Sequence, residues 1–474
     1  MQVELASIRA CFEGGAPSSL ASADADGLPN VVIVSQVEYV DPTHLALSFQ
    51  FFNKTRRNIL ANPHVQLMVV HPQTAEQFRI TARYLHTQSE GPLFERMKAK
   101  LAGIASHTGM GAVFKLRGAD LYEVQDVERV PTGALAPPVP APNRLPALRR
   151  AVERLGTSGD LEDLFDRCMQ AVVQDFGVRH AMLLLPDAPR QRLYTVASAG
   201  YAHSGVGSEV AVGDGVIGVA AQARSPIRIN FMTQDTAYCR AVRDGLEGEG
   251  GAPMDREIAY PGLPQPHSQM ALPVIGAGEL LGLLFVESEE PMRFDGDFED
   301  ALAVFCGQLG AQLRLLQPTP DAAEEGLAQG DDALGGRAAG CSGEAGPSGA
   351  ASQKTPSTSP LTGKAGDALR VRYFEGDCSV FLGDDYLIKG VAGAVLWTLL
   401  SEWAASGRVE FSNRELRLSD RLRLPDFNDN LEARLVLLRR RLAERSDAVR
   451  LEKAGRGRLR LVVRQPVHLS CVAR

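Results

Sequence analysis

Arginine gathers toward the carboxyl end of this chain in two groups whose spacing invites a chemical reading. Arg434, Arg439, Arg440, Arg441 and Arg445 fall within one helical stretch, DNLEARLVLLRRRLAER, and Arg456, Arg458 and Arg460 follow in the glycine-rich run AGRGRLR. Residues 367 to 474 hold 20 Lys and Arg against 15 Asp and Glu, a net of +5, whereas the remainder holds 30 against 42. The formal charge of -7 therefore conceals a basic tail on an acidic body, and the asymmetry points to an anionic partner for the tail. The competing reading is a solvated face, its arginines paired with Glu432, Glu444 and Glu452.

A second chemical motif lies mid-chain. Gly213, Gly215 and Gly218 spell GxGxxG with Asp235 downstream, the pattern of a dinucleotide-binding turn. The helix that follows runs only to about Ala223 before Ser225 and Pro226 stop it, too short for the crossover of a parallel βαβ unit. A ligand-pocket lip fits better. Cys11, Cys168, Cys239, Cys306, Cys341, Cys378 and Cys471 include no close pair, so neither a disulfide framework nor a metal site is signalled. No nucleophile with a partnered base, receiver-type acid cluster or kinase motif is present, so catalysis has no positive support.

The elements that must position these groups divide into several domains, because 474 residues exceed what one core supports. Apolar content of 45% with 23% charged residues is that of a soluble globular protein. No apolar run approaches the length of a membrane span and the start lacks a signal-peptide pattern, so a cytoplasmic protein with no membrane partner is expected. Pro131 to Asn143 is a proline-rich, uncharged spacer, and Gln317 to Gly366 lacks aromatic residues and reads as a flexible tether.

Residues 1–130 alternate β-rich runs with Asp-Gly and Asp-Pro turns, then a helix at KTRRNILANP and the strand VQLMVVHP. The piece SFQFFNKTRRNILANPHVQLMVV, with EQFRITARYL, resembles the pyridoxamine 5'-phosphate oxidase family, the FMN-binding split barrel. The resemblance implies an FMN cofactor whose phosphate is held at the basic turn, Lys54, Thr55, Arg56 and Arg57, with Gln77 and Arg79 at ring and phosphate contacts. It also implies a homodimer, since split barrels bind flavin at a two-fold interface. The chain departs from the family where Asn30, Val31 and Val32 stand in place of an arginine, which removes one phosphate anchor. Residues Ser106 to Phe114, with His107, form a glycine-rich loop before the last strand of this region.

Residues 144–316 contain GDGVIGVAAQARSPIRI, the hairpin SQMALPVIGAGELLGLLFVES and a helix with Leu302, Phe305, Leu309 and Leu313 at apolar spacing. In that order they resemble a GAF domain, a module with a six-stranded antiparallel sheet that binds a small-molecule effector. The resemblance makes Leu148, Val152, Leu155, Leu309, Leu313 and Leu316 candidate dimer contacts. Asn230 to His267, which includes Cys239, reads as a long loop.

Residues 367–474 begin with short strands, continue with three helices and end in the basic hairpin AVRLEKAGRGRLRLVV; the first helix carries Val395, Leu396, Leu399 and Trp403 on one face, and Asp429 or Asn430 can cap the third. This order resembles the OmpR-type winged helix, which implies DNA contact by the eight arginines above. The fold class expected is multidomain α+β: a split β-barrel, a GAF-type antiparallel α/β sandwich, then a winged helix. The function expected is a dimeric, ligand- or redox-sensing transcriptional regulator; the alternative is a flavin-dependent oxidoreductase with regulatory domains.

Overall fold

A computed structural model describes residues 3–49, 53–107, 116–138, 141–231, 258, 260–317, 368–419, 422, 431–455 and 457–472. The chain forms two compact units, Met1–Arg314 and Leu315–Arg474. The glycine-rich loop after His107, the residue Cys239 and nearly all of the expected tether lie outside the described residues.

The first unit opens with a short helical turn, Leu5–Phe12, and a seven-stranded antiparallel sheet in the order β2-β1-β5-β6-β7-β4-β3. Its strands are β1 (Ser18–Ala23), β2 (Pro29–Val34), β3 (Val37–Asp41), β4 (His44–Phe49), β5 (His64–Val70), β6 (Gln77–Gln88) and β7 (Gly118–Val130). The turns are those the sequence predicts: the Asp24 side chain accepts from the amides of Asp26 and Leu28, and Gly27 supplies a positive φ of 85°. Period-2 alternation puts Leu20, Leu67, Ile80 and Tyr122 on the inner face, where Leu5, Ile8, Cys11 and Phe12 of the opening turn complete the core. Helix α1 (Asn53–Ala61) lies against β1 and β2, and α2 (Pro92–His107) joins β6 to β7.

After the proline-rich spacer, α3 (Leu145–Gly156) and α4 (Leu161–Gln170) precede a six-stranded sheet in the order β10-β9-β8-β13-β12-β11, every pairing antiparallel. Its strands are β8 (His180–Asp187), β9 (Arg192–Ala199), β10 (Glu209–Ala211), β11 (Ile227–Ile229), β12 (Ser268–Gly276) and β13 (Glu279–Ser288). Asp160 caps α4 by accepting from the Asp163 amide. One sheet face is covered by α5 (Gly215–Ala223). The final helix of this unit, α6 (Gly296–Leu316), buries Phe298, Leu302, Phe305, Leu309 and Leu313, and Phe298 and Phe305 pack around Phe176. Leu155, Leu309 and Leu313 are therefore core residues of their own domain and drop out as dimer contacts; Leu148, Val152 and Leu316 remain half-buried.

The second unit has β14 (Leu369–Phe374), β15 (Ser379–Leu382), β16 (Asp385–Ile388), α7 (Gly390–Ser406), β17 (Glu410–Ser412), α8 (Asn413–Arg417), α9 (Leu431–Arg445), β18 (Val449–Gly455), β19 (Arg458–Val463) and β20 (Val467–Val472). One sheet runs β16-β15-β14-β20, with β20 parallel to β14, and the other β17-β19-β18. Helix α7 is apolar almost all round and is buried accordingly, with Val395, Leu396 and Leu399 fully enclosed. Gly407, at φ 73°, ends it by donating to the Trp403 carbonyl. A reciprocal Ser412–Glu415 capping box starts α8. The residues before α9 that include Asp429 and Asn430 lie outside the described residues.

Candidate functional site

The basic turn at the start of α1 divides into two kinds of residue. Lys54 and Arg57 are exposed, whereas Thr55 is buried and Arg56 turns inward. Thr55 Oγ1 accepts from Asn30 Nδ2 at 2.9 Å, a bond that ties β2 to α1. Arg56 Nη1 donates to Asp120 Oδ1 at 2.9 Å and to Thr87 Oγ1 at 2.7 Å, and its guanidinium lies over the rings of Phe49 and Tyr84. Burial pushes the Asp120 carboxyl above the usual aspartate range, although Thr87 and Arg56 pull it back. Phe49, Arg56 and Asp120, with Leu20, Val34, Leu47, Ser48, Thr55, Ile59 and Tyr122, line a cavity of about 10 Å³, enough for a single water.

Thr55 and Arg56 are engaged by partners inside the barrel, while Lys54 and Arg57 are exposed at the first turn of α1. Arg79 sits on the face of β6 opposite the core and pairs with Glu128 of β7; Gln77, two residues earlier on the same strand, is half-buried. Beside the turn, Leu28, Val31, Ile33 and Leu60 expose apolar side chains, Val31 and Ile33 at 67% each on the edge strand β2.

In the central domain the glycine motif closes on itself. The Gly213 amide donates to the Gly218 carbonyl and the Gly218 amide to the Asp214 carbonyl, both at 2.8 Å, and a Cβ on Gly218 would meet the Ala211 carbonyl oxygen at 2.2 Å. The third glycine thus permits close packing of α5, in a wholly antiparallel sheet with no βαβ unit. On the α5 face of that sheet Gln269, Glu287 and His180 stand in one row across β12, β13 and β8. Glu287, 1% exposed, accepts from the Leu263 amide at 2.9 Å and from Gln269 Nε2 at 3.1 Å. Burial raises its carboxyl above the usual glutamate range, and the Tyr201 hydroxyl faces it, with the Tyr201 ring 5.4 Å from that of His180. The sequence alone does not reveal this row; its only trace is polar residues near the ends of three otherwise apolar strands.

Residues 160–313 match the family model of the GAF domain, and residues 6–125 match that of pyridoxamine 5'-phosphate oxidase. The chain carries an oxidase-like barrel and a GAF domain. Among solved structures it is similar to the GAF domain of an Acinetobacter phosphoenolpyruvate-protein phosphotransferase, at 23% identity over 36% of this chain and 93% of that one, with a TM-score of 0.29. It is also similar to an FMN-binding protein from Syntrophomonas wolfei, at 17% identity over 27% and 86%, TM-score 0.24. A third is the free methionine-R-sulfoxide reductase of Neisseria meningitidis, at 14% identity over 38% and 96%, TM-score 0.28. No curated protein matches the chain.

Beyond the barrel and the GAF domain, the carboxyl-terminal arginines separate by burial. Arg434 and Arg441 are 6% and 3% exposed, and Arg441 donates to the Leu387 carbonyl and pairs with Glu444. Both side chains lie inside their own unit, a correction to the expectation that all five helix arginines face a partner. Arg439 and Arg440 are half-buried and Arg445 is exposed. On the hairpin Arg458 and Arg460 are exposed, Arg460 bonded to Glu410 at 2.6 Å, and Arg456 lies outside the described residues. Glu432 is engaged by Arg417 and Asn413. No group of His, Cys, Asp and Glu among the described residues could hold a metal ion, and no helix among them is long and apolar enough to cross a membrane.

Proposed function

We propose that this protein is a ligand- or redox-sensing transcriptional regulator whose carboxyl-terminal unit is a winged helix that binds DNA. The observation that carries the reading is the order of elements around an exposed basic hairpin: strands, long helix, short strand, two helices, then β18 and β19 with Arg458 and Arg460 outward. Arg445 at the end of α9 adds to that charge, and such groups hold phosphates while a neighbouring helix sets register. The exposed pair Arg460–Glu410 is worth little in water and yields readily to a phosphate. The GAF domain supplies the effector site, on the sheet face under α5. The barrel is the redox element: Lys54 and Arg57 would hold the phosphate of FMN, and the flavin, when bound, supplies a ring that accepts electrons. A homodimer forms through Val31, Ile33, Leu28 and Leu60, and the protein acts in the cytoplasm.

The test is binding of the full chain to labelled duplex DNA at two salt concentrations. Affinity should fall with salt in proportion to the phosphates neutralised, and Arg458→Ala with Arg460→Ala should flatten the dependence. No binding, or binding indifferent to salt, overturns the reading. The second reading, a flavin-dependent oxidoreductase with regulatory domains, is favoured by the exposed cations at the α1 start. It requires a purified protein with flavin absorbance that bleaches with reductant and recovers with substrate turnover; a protein that neither carries nor takes up FMN removes it.

A further inference from the structure

The barrel and the GAF domain meet through a buried ionic knot. Arg228 on β11 donates to Glu299 of α6 at 2.6 Å and to the Phe294 carbonyl at 3.1 Å, and pairs at 2.7 Å with Glu13, which belongs to the barrel's opening segment. Its side chain and that of Glu13 are each only 10% exposed. Asn230, two residues along, donates to the same Glu13 carboxylate at 3.1 Å and to the Phe294 carbonyl at 2.6 Å. A charge so enclosed is tolerable only while its partners stay in place, so the geometry of Glu13 and the geometry of β11 fix each other. Nearby, Glu38 on β3 binds Arg96 and Lys100 of α2 at 3.2 and 3.5 Å.

Helix α2 is shared by the two domains. Met97 packs with Ala46 and Ala119 of the barrel sheet, while Ala99, on the opposite side of the helix, joins Val216, Val219, Ala220 and Ile227 of the GAF core. The contact is close because the residues are small: a Cβ on Gly103 would stand 3.1 Å from Ile227 Cγ2. Helix α5 is thereby held between the GAF sheet and α2. We infer that Glu13 and α2 of the barrel clamp β11 and α5 of the GAF domain, so that α5 shifts only together with α2 and the two domains act as one coupled sensing body. The inference stands independently of DNA binding. Any ligand that moves α5 then acts on α2, and thermodynamic reciprocity makes a barrel ligand act on the GAF domain equally.

Hydrogen exchange on the full chain, read by mass spectrometry, tests this. Arg228→Met should speed exchange at least roughly tenfold in β11 and α5 and also in Leu5–Phe12 and α2, while β5, β6, β8 and β9 keep their native protection. Acceleration confined to β11 and α6 overturns the clamp. Glu13→Gln, which keeps shape and removes one charge, should shift the same segments in the same direction by a smaller factor. Gly103→Leu, placed on the barrel side of the seam, should loosen α5; an α5 that exchanges as in the native chain under this substitution also overturns it.

Discussion

Replacing Arg441 and Arg458 one at a time should separate two roles that the arginine cluster combines. Arg441 lies almost wholly inside the carboxyl-terminal unit, with Nε on the Leu387 carbonyl at 3.2 Å and Nη1 on Glu444 at 3.3 Å. Arg441→Met keeps the apolar stem and deletes both bonds. Bonds to charged groups contribute about 1.5–3 kcal/mol each, and Glu444, one third exposed, recovers part of its loss from water. The net cost should be about 2–3 kcal/mol, which for a unit of this size lowers the melting temperature by about 10–20 °C. Arg458 is exposed on the hairpin, so Arg458→Met should leave the melting temperature where it was. In anisotropy titrations with a labelled duplex, the same change should reduce the slope of log affinity against log salt by about 0.9, the share of the single phosphate that Arg458 neutralises. Below its melting point the Arg441→Met protein should keep the native slope. If Arg441→Met melts like the native chain and flattens the slope while Arg458→Met does neither, the assignment of inward and outward arginines is wrong.

The remaining predictions concern the first unit. Asp120→Asn strips Arg56 of its counter-charge; because Arg56 retains partial exposure and its aromatic neighbours, the loss in urea unfolding should be about 1–3 kcal/mol, and an unchanged midpoint would show that the pair contributes nothing. Glu287 has a raised folded-state pKa, so the stability it contributes is full below the ordinary glutamate range and is lost as pH rises through the folded value. Glu287→Gln should therefore flatten the fall of melting temperature with rising pH above that range; parallel curves for the two proteins would refute it. Ile33→Lys, on the exposed edge of β2, should convert the proposed homodimer to monomer in sedimentation without loss of fold, and a native chain that sediments as monomer at micromolar concentration ends that proposal.

Much of the architecture was legible because local signals agreed with tertiary ones. The Asp26-Gly27 turn, the Gly276-Ala277-Gly278 hairpin and the apolar stripe of α6 each combine a composition cue with a matching period. Three elements escaped. Strand β20 is edge-exposed, and its alternation of Val467, Leu469 and Cys471 is too short to declare a side; only pairing with β14, nearly a hundred residues earlier, gives it a place. Strand β17 has three residues, and β16 sits only two residues from β15. The role of α2 in joining two domains was invisible for another reason: Ala99, Ala102 and Gly103 look like ordinary helix residues until Ile227 is set against them.

The basic turn shows how charge in a sequence misleads about availability. Lys54, Arg56 and Arg57 read as one cationic cluster, yet successive residues of a helix point about 100° apart, so three neighbours cannot share one direction. Arg56 follows the buried phase of Thr55 and Ile59 and meets Asp120, while Lys54 and Arg57, three apart, emerge together. The same phase argument sorts α9. Arg434, Leu437, Leu438, Arg441 and Leu442 stand at i, i+3, i+4, i+7 and i+8, the spacing of a core stripe, and all five are buried. An arginine on such a stripe costs desolvation that only internal partners offset, and Leu387 and Glu444 are those partners for Arg441. Helical phase assigns Arg434 and Arg441 to the interior and turns Arg439 and Arg440 away from it; Arg445 shares the buried phase and is exposed because it is the last residue of the helix.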